Sequence, residues 1–204
     1  AGADFRDGAK VDEVELADDG VAASVGGARV RAKALVGADG VNGVVARAVG
    51  LDGRELGVAL EGNCGHDRLD AERYAGRLVL EVGVVPGGYG WAFPKGDHVN
   101  FGIGGWESEG PRLRDHLRRL CAAHGVEPEH LTDLRGYRLP MRRPDSGLVR
   151  GRALLVGDAA GLVDPLSGDG LYEAFVSARL AAQAIEDLLD GRARDLQPYE
   201  RATI

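Results

Sequence analysis

The run with the most chemical content covers residues 156–175, V-G-D-A-A-G-L-V-D-P-L-S-G-D-G-L-Y-E-A-F. An apolar stretch ends in Gly157-Asp158, and the C-terminal ends of buried strands are where open α/β sheets take ligands. Gly157 has no side chain to obstruct a ligand, and Asp158 can accept hydrogen bonds from sugar-like hydroxyls such as those of a ribityl chain. Ala159, Ala160 and Gly161 are small enough for the next turn to lie close to the same ligand. Pro165 fixes a bend, and Gly168-Asp169-Gly170 opens a helix whose unpaired N–H groups and positive dipole end favour negative charge. Such a helix start at the pyrimidine edge of an isoalloxazine ring would stabilise charge on N1 and O2 of a reduced flavin without a titratable group. Gly-Asp-Ala-Ala alone is an ordinary glycine-rich corner, whereas the whole run reads as a flavin site.

Holding these residues requires a strand, a turn and a helix, and the patterning supplies that unit twice. Ala34-Leu35-Val36 reads as a buried strand running into Gly37-Ala38-Asp39-Gly40. A helix follows, with Asn42 as N-cap and Val44, Val45, Ala48 and Val49 on one face. The second unit is the strand at 153–156 and a long helix from about Asp169 to Leu189. Its expected core face is Leu171, Ala174, Phe175, Ala178, Ala182, Ile185 and Leu189, with Gly191 as the stop. Ahead of the first unit, alternating Val21, Ala23, Val25, Val30 and Ala32 with Gly-containing turns predict short hairpins. Between the units, strands at 58–60, 78–85, 89–93, 99–103 and 135–141 predict an antiparallel sheet. One helix there carries Leu113, Leu117, Leu120 and Cys121. The expected class is α/β, with residues 1–55 and 144–204 forming one domain around a β-rich insert at 56–143.

Composition removes several functions. The formal net charge of −7 leaves no basic surplus to neutralise phosphates, so no nucleic acid is expected as a partner. No stretch of about 18 apolar residues is present to span a membrane. Cys64 and Cys121 stand far apart, and His66, His98, His116, His124 and His130 have no ligand spacing, so no metal is expected. The 32 glycines have no repeat period and must serve turns and close backbone approaches.

Two motifs carry a resemblance. Residues 156–175 resemble the Gly-Asp motif of flavoproteins with the p-hydroxybenzoate hydroxylase fold. Val36-Gly37-Ala38-Asp39-Gly40-Val41-Asn42 resembles the Asp-Gly motif of that fold, with Gly43 where serine is common. The resemblance implies a partial FAD/NAD(P)-binding, Rossmann-like domain with an inserted antiparallel β-sheet substrate domain. It assigns FAD contacts to Asp39, Gly40, Gly157, Asp158, Ala159, Gly161, Pro165, Gly168, Asp169, Gly170 and Leu171. A third segment, Tyr89-Gly90-Trp91-Ala92-Phe93-Pro94, seven residues, then Gly102-Ile103-Gly104, is similar to a signature of geranylgeranyl reductases. Tyr89, Trp91 and Phe93 share one strand face. With Pro94, Gly102 and Gly104 they would wall an elongated polyisoprenoid chain, or else pack on the sheet's own core.

That family reduces C=C bonds of prenyl chains by hydride transfer from reduced FAD. It implies a prenyl lipid or prenyl diphosphate substrate, NADPH or ferredoxin as electron donor, and a cytoplasmic enzyme peripheral at the membrane. No proton donor is legible, so the catalytic residues stay unassigned. A flavin monooxygenase acting on an aromatic or polyketide substrate is the alternative chemistry. The family's G-x-G-x-x-G turn, which holds the ADP half of FAD, has no match here. The chain is therefore expected to be partial and to need a complementing N-terminal segment, or to be a non-catalytic fragment. On that expectation the 204-residue polypeptide purifies with well under one flavin per chain, measured as flavin absorbance against protein after gel filtration. A yellow protein near one flavin per chain would overturn it.

Overall fold

Alternation and two-residue turns make the first strands, β1 (Val11–Ala17), β2 (Gly20–Val25) and β3 (Ala28–Ala32), an antiparallel meander. The computed structural model describes residues 2–204. Next come β4 (Leu35–Gly37) and the single-turn α1 (Val45–Ala48). Then follow β5 (Arg54–Gly65), β6 (Val79–Val82), β7 (Tyr89–Pro94), β8 (His98–Trp106), α2 (Leu113–Ala123) and β9 (Leu131–Arg142). The chain continues through β10 (Val149–Arg150), β11 (Ala153–Leu155), α3 (Leu171–Leu189) and α4 (Gln197–Thr203). These elements form two compact units, one from residues up to Glu55 with Pro140–Ile204, the other Leu56–Leu139.

In the discontinuous unit, β4 pairs in parallel with β11, Leu35 opposite Ala153 and Gly37 opposite Leu155, and β10 pairs antiparallel on the other side of β11. Val45, Ala46 and Val49 around α1 pack with Leu148, Leu154 and Leu155 and with Ala181, Ala184 and Leu188 of α3. Leu196 and Tyr199 around α4 close this core, and the Tyr199 hydroxyl donates to the Leu155 carbonyl at 2.6 Å. Burial pushes the Tyr199 phenol up to about 12. The short α4 had no signal in the periodicity, being about two turns long with a proline near its start.

Three local expectations fail here. α3 buries Ser177, Ala181, Ala184 and Leu188, while Leu171, Phe175, Ala178, Ala182 and Leu189 of the expected core face are exposed. The helix is apolar around most of its circumference, so periodicity does not single out the inward side; beside the turn after β11 the helix comes close enough that a Cβ on Gly157 would stand 3.2 Å from that of Ala174. The strand expected to be buried at 34–36 is only half-covered, with Val36 39% exposed, because β4 ends its sheet. The N-cap position of α1 is Val44 and not Asn42, and the Asp39 carboxylate accepts from the Val44 and Val45 amides at 2.6 and 3.0 Å.

The inserted unit is built on a five-stranded sheet in the order β6-β7-β8-β5-β9, in which β6 and β7, β7 and β8, and β8 and β5 pair antiparallel. Ala92, Val99, Phe101 and Ile103 point to one face and are buried with Leu117, Leu120 and Cys121 of α2. Two polar pairs sit in this core. Tyr74 Oη and His124 Nδ1 are 2.9 Å apart, and His116 Nε2 lies 2.9 Å from Glu109. Cys64 and Cys121 are buried free thiols.

Replacing Tyr199 by Phe leaves the ring in place and strands the Leu155 carbonyl. Urea unfolding of the chain is expected to lose about 1–2 kcal/mol, the usual consequence of one buried partner removed. Unchanged stability would show that α4 is held by apolar packing alone.

Candidate functional site

The turn after β11 is a single 3-10 turn, Gly157–Ala160, ending on Gly161 in the left-handed region. Gly157 itself sits at φ 53°, which a side chain would resist. Its amide donates to Ser177 Oγ at 3.1 Å, and that hydroxyl donates to the Glu173 carbonyl at 2.6 Å, tying the turn to α3. Arg54 Nη1 donates to the Asp158 and Ala159 carbonyls at 3.4 and 3.2 Å, fixing the turn from its outer side. Gly157, Ala159 and Gly161 are buried under this bracing and Asp158 is half-buried.

Asp158 holds the chemistry of this turn. Burial pushes its carboxyl up, opposed by the Arg54 charge. Its Oδ1 lies where a Cβ on Gly170 would be 3.1 Å away, so the carboxylate faces the backbone that opens α3. The first intrahelical bond of α3 runs from Ala174 N to Gly170 O at 2.9 Å, leaving the earlier amides ahead of any helical acceptor. Asp169 Oδ1 accepts from the Leu171 amide at 3.1 Å, and Leu171 and Tyr172 are 72% and 68% exposed, so the helix start is open. The loop leading to it is built by Asp164, whose Oδ1 accepts from Leu166 N, Ser167 N and Ser167 Oγ at 3.1, 2.6 and 2.7 Å. Pro165 and Gly168 lie in this loop, with Gly168 N bonded to Asp164 O at 2.9 Å. A half-buried carboxylate beside an open helix start fits a ligand that brings hydroxyl donors and partial negative charge.

The loop after β4 reaches the same strand ends through the β4–β11 pairing, since Val156 N donates to Gly37 O at 3.0 Å. Asp39 has its carboxylate engaged by α1, and the place of a Cβ on Gly43 is taken by that carboxylate. Gly40 turns the loop between them.

In the inserted unit, Tyr89, Trp91 and Phe93 stand on the sheet face away from α2, with ring centroids 5.9 and 6.1 Å apart along the row. Their cross-strand neighbours are Gly104, Gly102 and Asn100 on one side and, for Tyr89 and Trp91, Val82 and Leu80 on the other. A Cβ on Gly102 would run into the Trp91 indole, so the ring lies flat over that glycine. Leu80 and Val82 are 58% and 86% exposed, extending the row as an open apolar face. Pro94 ends β7 opposite Val99 and so belongs to the other face. Among the described residues no three His, Cys, Asp or Glu side chains are grouped to hold a metal.

Sequence reasoning overlooked Arg54, Ser177, Asp164, Asn63 and Asn100. Ser177 carries a signal only once the inward face is known, being the polar member of the buried set Ser177, Ala181, Ala184 and Leu188. Arg54 lies far from its partners in sequence and had none.

Asp158→Asn is expected to raise the melting temperature of the ligand-free chain, because it removes a carboxylate whose charge burial disfavours. For the same reason the wild-type deficit should shrink as pH falls through the raised carboxyl pKa. Asp39→Ala is expected to lower stability by about 0.5–2 kcal/mol through its lost cap. A destabilised Asp158→Asn would show that the carboxylate is held by partners within the chain.

No family model matches the chain. It is 31% identical over 207 residues to an uncharacterised protein of Methanosarcina barkeri, covering 98% of this chain and 51% of that one. It is 36% identical over 156 residues to the chloroplastic geranylgeranyl diphosphate reductase of Oryza sativa subsp. japonica, covering 74% and 33%. With the digeranylgeranylglycerophospholipid reductase of Methanoculleus marisnigri it shares 32% over 186 residues, covering 85% and 46%. A geranylgeranyl bacteriochlorophyll reductase-like protein of Thermoplasma acidophilum superimposes with a TM-score of 0.80 at 25% identity, over 94% of this chain and 52% of that one. An anhydrotetracycline hydroxylase of Streptomyces rimosus shares the fold, at a TM-score of 0.70 and 24% identity over 99% and 43%. The chain spans about half the length, or less, of these proteins. In sequence along most of its length, and in fold, it belongs to the geranylgeranyl reductase family.

Proposed function

We propose that this chain supplies the flavin-ring contacts and the substrate face of an FAD-dependent reductase that saturates C=C bonds of a geranylgeranyl chain. The observation that carries the reading is the half-buried Asp158 carboxylate set against the open start of α3. Asp158 would accept hydrogen bonds from ribityl hydroxyls, and the amides opening α3 would face the pyrimidine edge of the ring. Gly170 brings the backbone opening α3 close to the Asp158 carboxylate, Gly157 and Gly161 let the turn pack against Ala174 and Arg142, and Arg54 and Ser177 hold the turn in shape. Bound FAD supplies the hydride that such a reduction requires.

The substrate class is supported by the open face of the inserted sheet. A prenyl chain offers apolar area and almost no hydrogen-bonding groups, so it is recognised by shape and burial. Leu80, Val82, Tyr89, Trp91 and Phe93 form an apolar row of the right character, and Gly102 and Gly104 keep the sheet low beside it. The relatives named for a prenyl diphosphate and for a prenyl phospholipid support the same class without choosing between them. A lipid substrate would be met at a membrane surface, and no described helix is long and apolar enough to cross one. NADPH and ferredoxin both remain part of the proposal as electron donors.

Flavin-loaded protein, reduced with dithionite under strict anaerobiosis, is expected to saturate double bonds of geranylgeranyl diphosphate or a digeranylgeranyl lipid. Mass spectrometry reads added hydrogen without added oxygen. Hydroxylated product formed only in air, with no anaerobic saturation, would replace the reductase by a monooxygenase on the same fold.

A further inference from the structure

The row of aromatics contains a polar connection that the proposed reduction does not use. Trp91 Nε1 donates to Asn100 Oδ1 at 2.8 Å, and Asn100 Nδ2 donates to Asn63 Oδ1 at 2.9 Å. The polarity of this relay has one solution. An indole nitrogen can only donate, so the Asn100 oxygen must face Trp91 and its amide nitrogen must face Asn63. Asn100 is 9% exposed, and an amide so placed is tolerated only when its groups are matched. The three residues stand on neighbouring strands: Asn100 of β8 is directly opposite Asn63 of β5 and, on the other side, opposite Phe93 of β7. The bond to Trp91 therefore runs diagonally across β7 and β8, pulling the indole sideways over Gly102, where a side chain would occupy its place. Phe93, stacked at 27° to the indole, blocks it from one end of the row and Tyr89, tilted at 55°, from the other.

We propose that Asn100, backed by Asn63, is a positioning residue that fixes the plane of Trp91 and thereby selects which double bond of a bound polyisoprenoid is reduced. This rests on the prenyl-reductase reading. A chain of repeated isoprene units gives the protein no polar group by which to set its register, so the register follows from the shape of the wall. An indole free to rotate about its side-chain torsions presents several shapes. One tethered at Nε1, stacked on Phe93 and seated on Gly102 presents one. Asn63 orients the Asn100 amide, which without it could turn and offer Trp91 a nitrogen in place of an oxygen.

The experiment uses flavin-loaded protein carrying Trp106→Phe, so that Trp91 is the sole tryptophan, with Asn100→Leu, Asn63→Ala and Asn63→Asp added singly. Asn100→Leu is expected to increase acrylamide quenching of Trp91 emission. It should also change the ratio of partially reduced geranylgeranyl products by about fivefold, the effect of one net hydrogen bond, with flavin content unchanged. Asn63→Ala is expected to move both readouts in the same direction, and Asn63→Asp, which keeps the acceptor, to restore them. Asn100→Leu or Asn63→Ala leaving quenching and product ratio at the parent values would overturn the proposal. Should Asn100→Leu fail to fold, Asn63→Ala alone decides by the same two readouts. If no prenyl substrate is reduced by any form, the reductase reading fails while the quenching arm still tests whether the relay holds Trp91; a change of quenching with unaltered product ratios in active protein overturns the selection of the double bond.

Discussion

The parallel pairing of β4 with β11 is the constraint on which the candidate flavin site depends. β4 ends on Gly37 and β11 runs on through Val156 to Gly157, each leading into a turn that carries an aspartate, and only a parallel pair delivers both turns to one end of the sheet. The pairing is reinforced by Leu35 N donating to Arg152 O at 2.9 Å and Val156 N to Gly37 O at 3.0 Å, one bond on each side of the ladder. Tyr199 then fastens α4 to β11 at Leu155, and Ser177 fastens α3 to Gly157 one turn further on. The strand is thereby held at both its last carbonyl and its first amide beyond the sheet.

Four aspartates stand around these turns, and the structure divides them sharply. Asp39, Asp164 and Asp169 each accept hydrogen bonds from nearby backbone amides and shape the chain locally. Asp158 differs: the protein buries it halfway and surrounds it with a guanidinium that binds the neighbouring carbonyls. Sites that bind ligands retain such imperfectly matched polar groups because the ligand completes them.

Most of this was legible where the pattern is short-range. The strands of the inserted sheet follow from alternation and glycine turns, and the two glycine–aspartate motifs mark their strand ends. The failures share a physical cause. α3 is apolar around most of its circumference, and which side turns inward is a tertiary fact absent from helical periodicity. Asp39 serves the start of α1 from five and six residues away because the intervening turn brings its side chain back to the helix start. The Asn63–Asn100 pair needs the β5–β8 register to be seen, since each alone reads as an unremarked polar residue in a strand.

The division into a discontinuous unit and an inserted one also orders events during synthesis. All contacts within the Leu56–Leu139 unit join residues that leave the ribosome together, and its sheet joins neighbouring strands through β6, β7 and β8. β4 emerges earlier yet has no parallel partner until residue 153 is made, so closing that pair means closing a loop that contains the whole insert. Loop-closure entropy rises with the length of flexible chain between the partners, and an insert already folded shortens that length to its two connecting strands. The aromatic sheet can thus assemble during translation and then act as the clasp that brings the two halves of the flavin-type unit together.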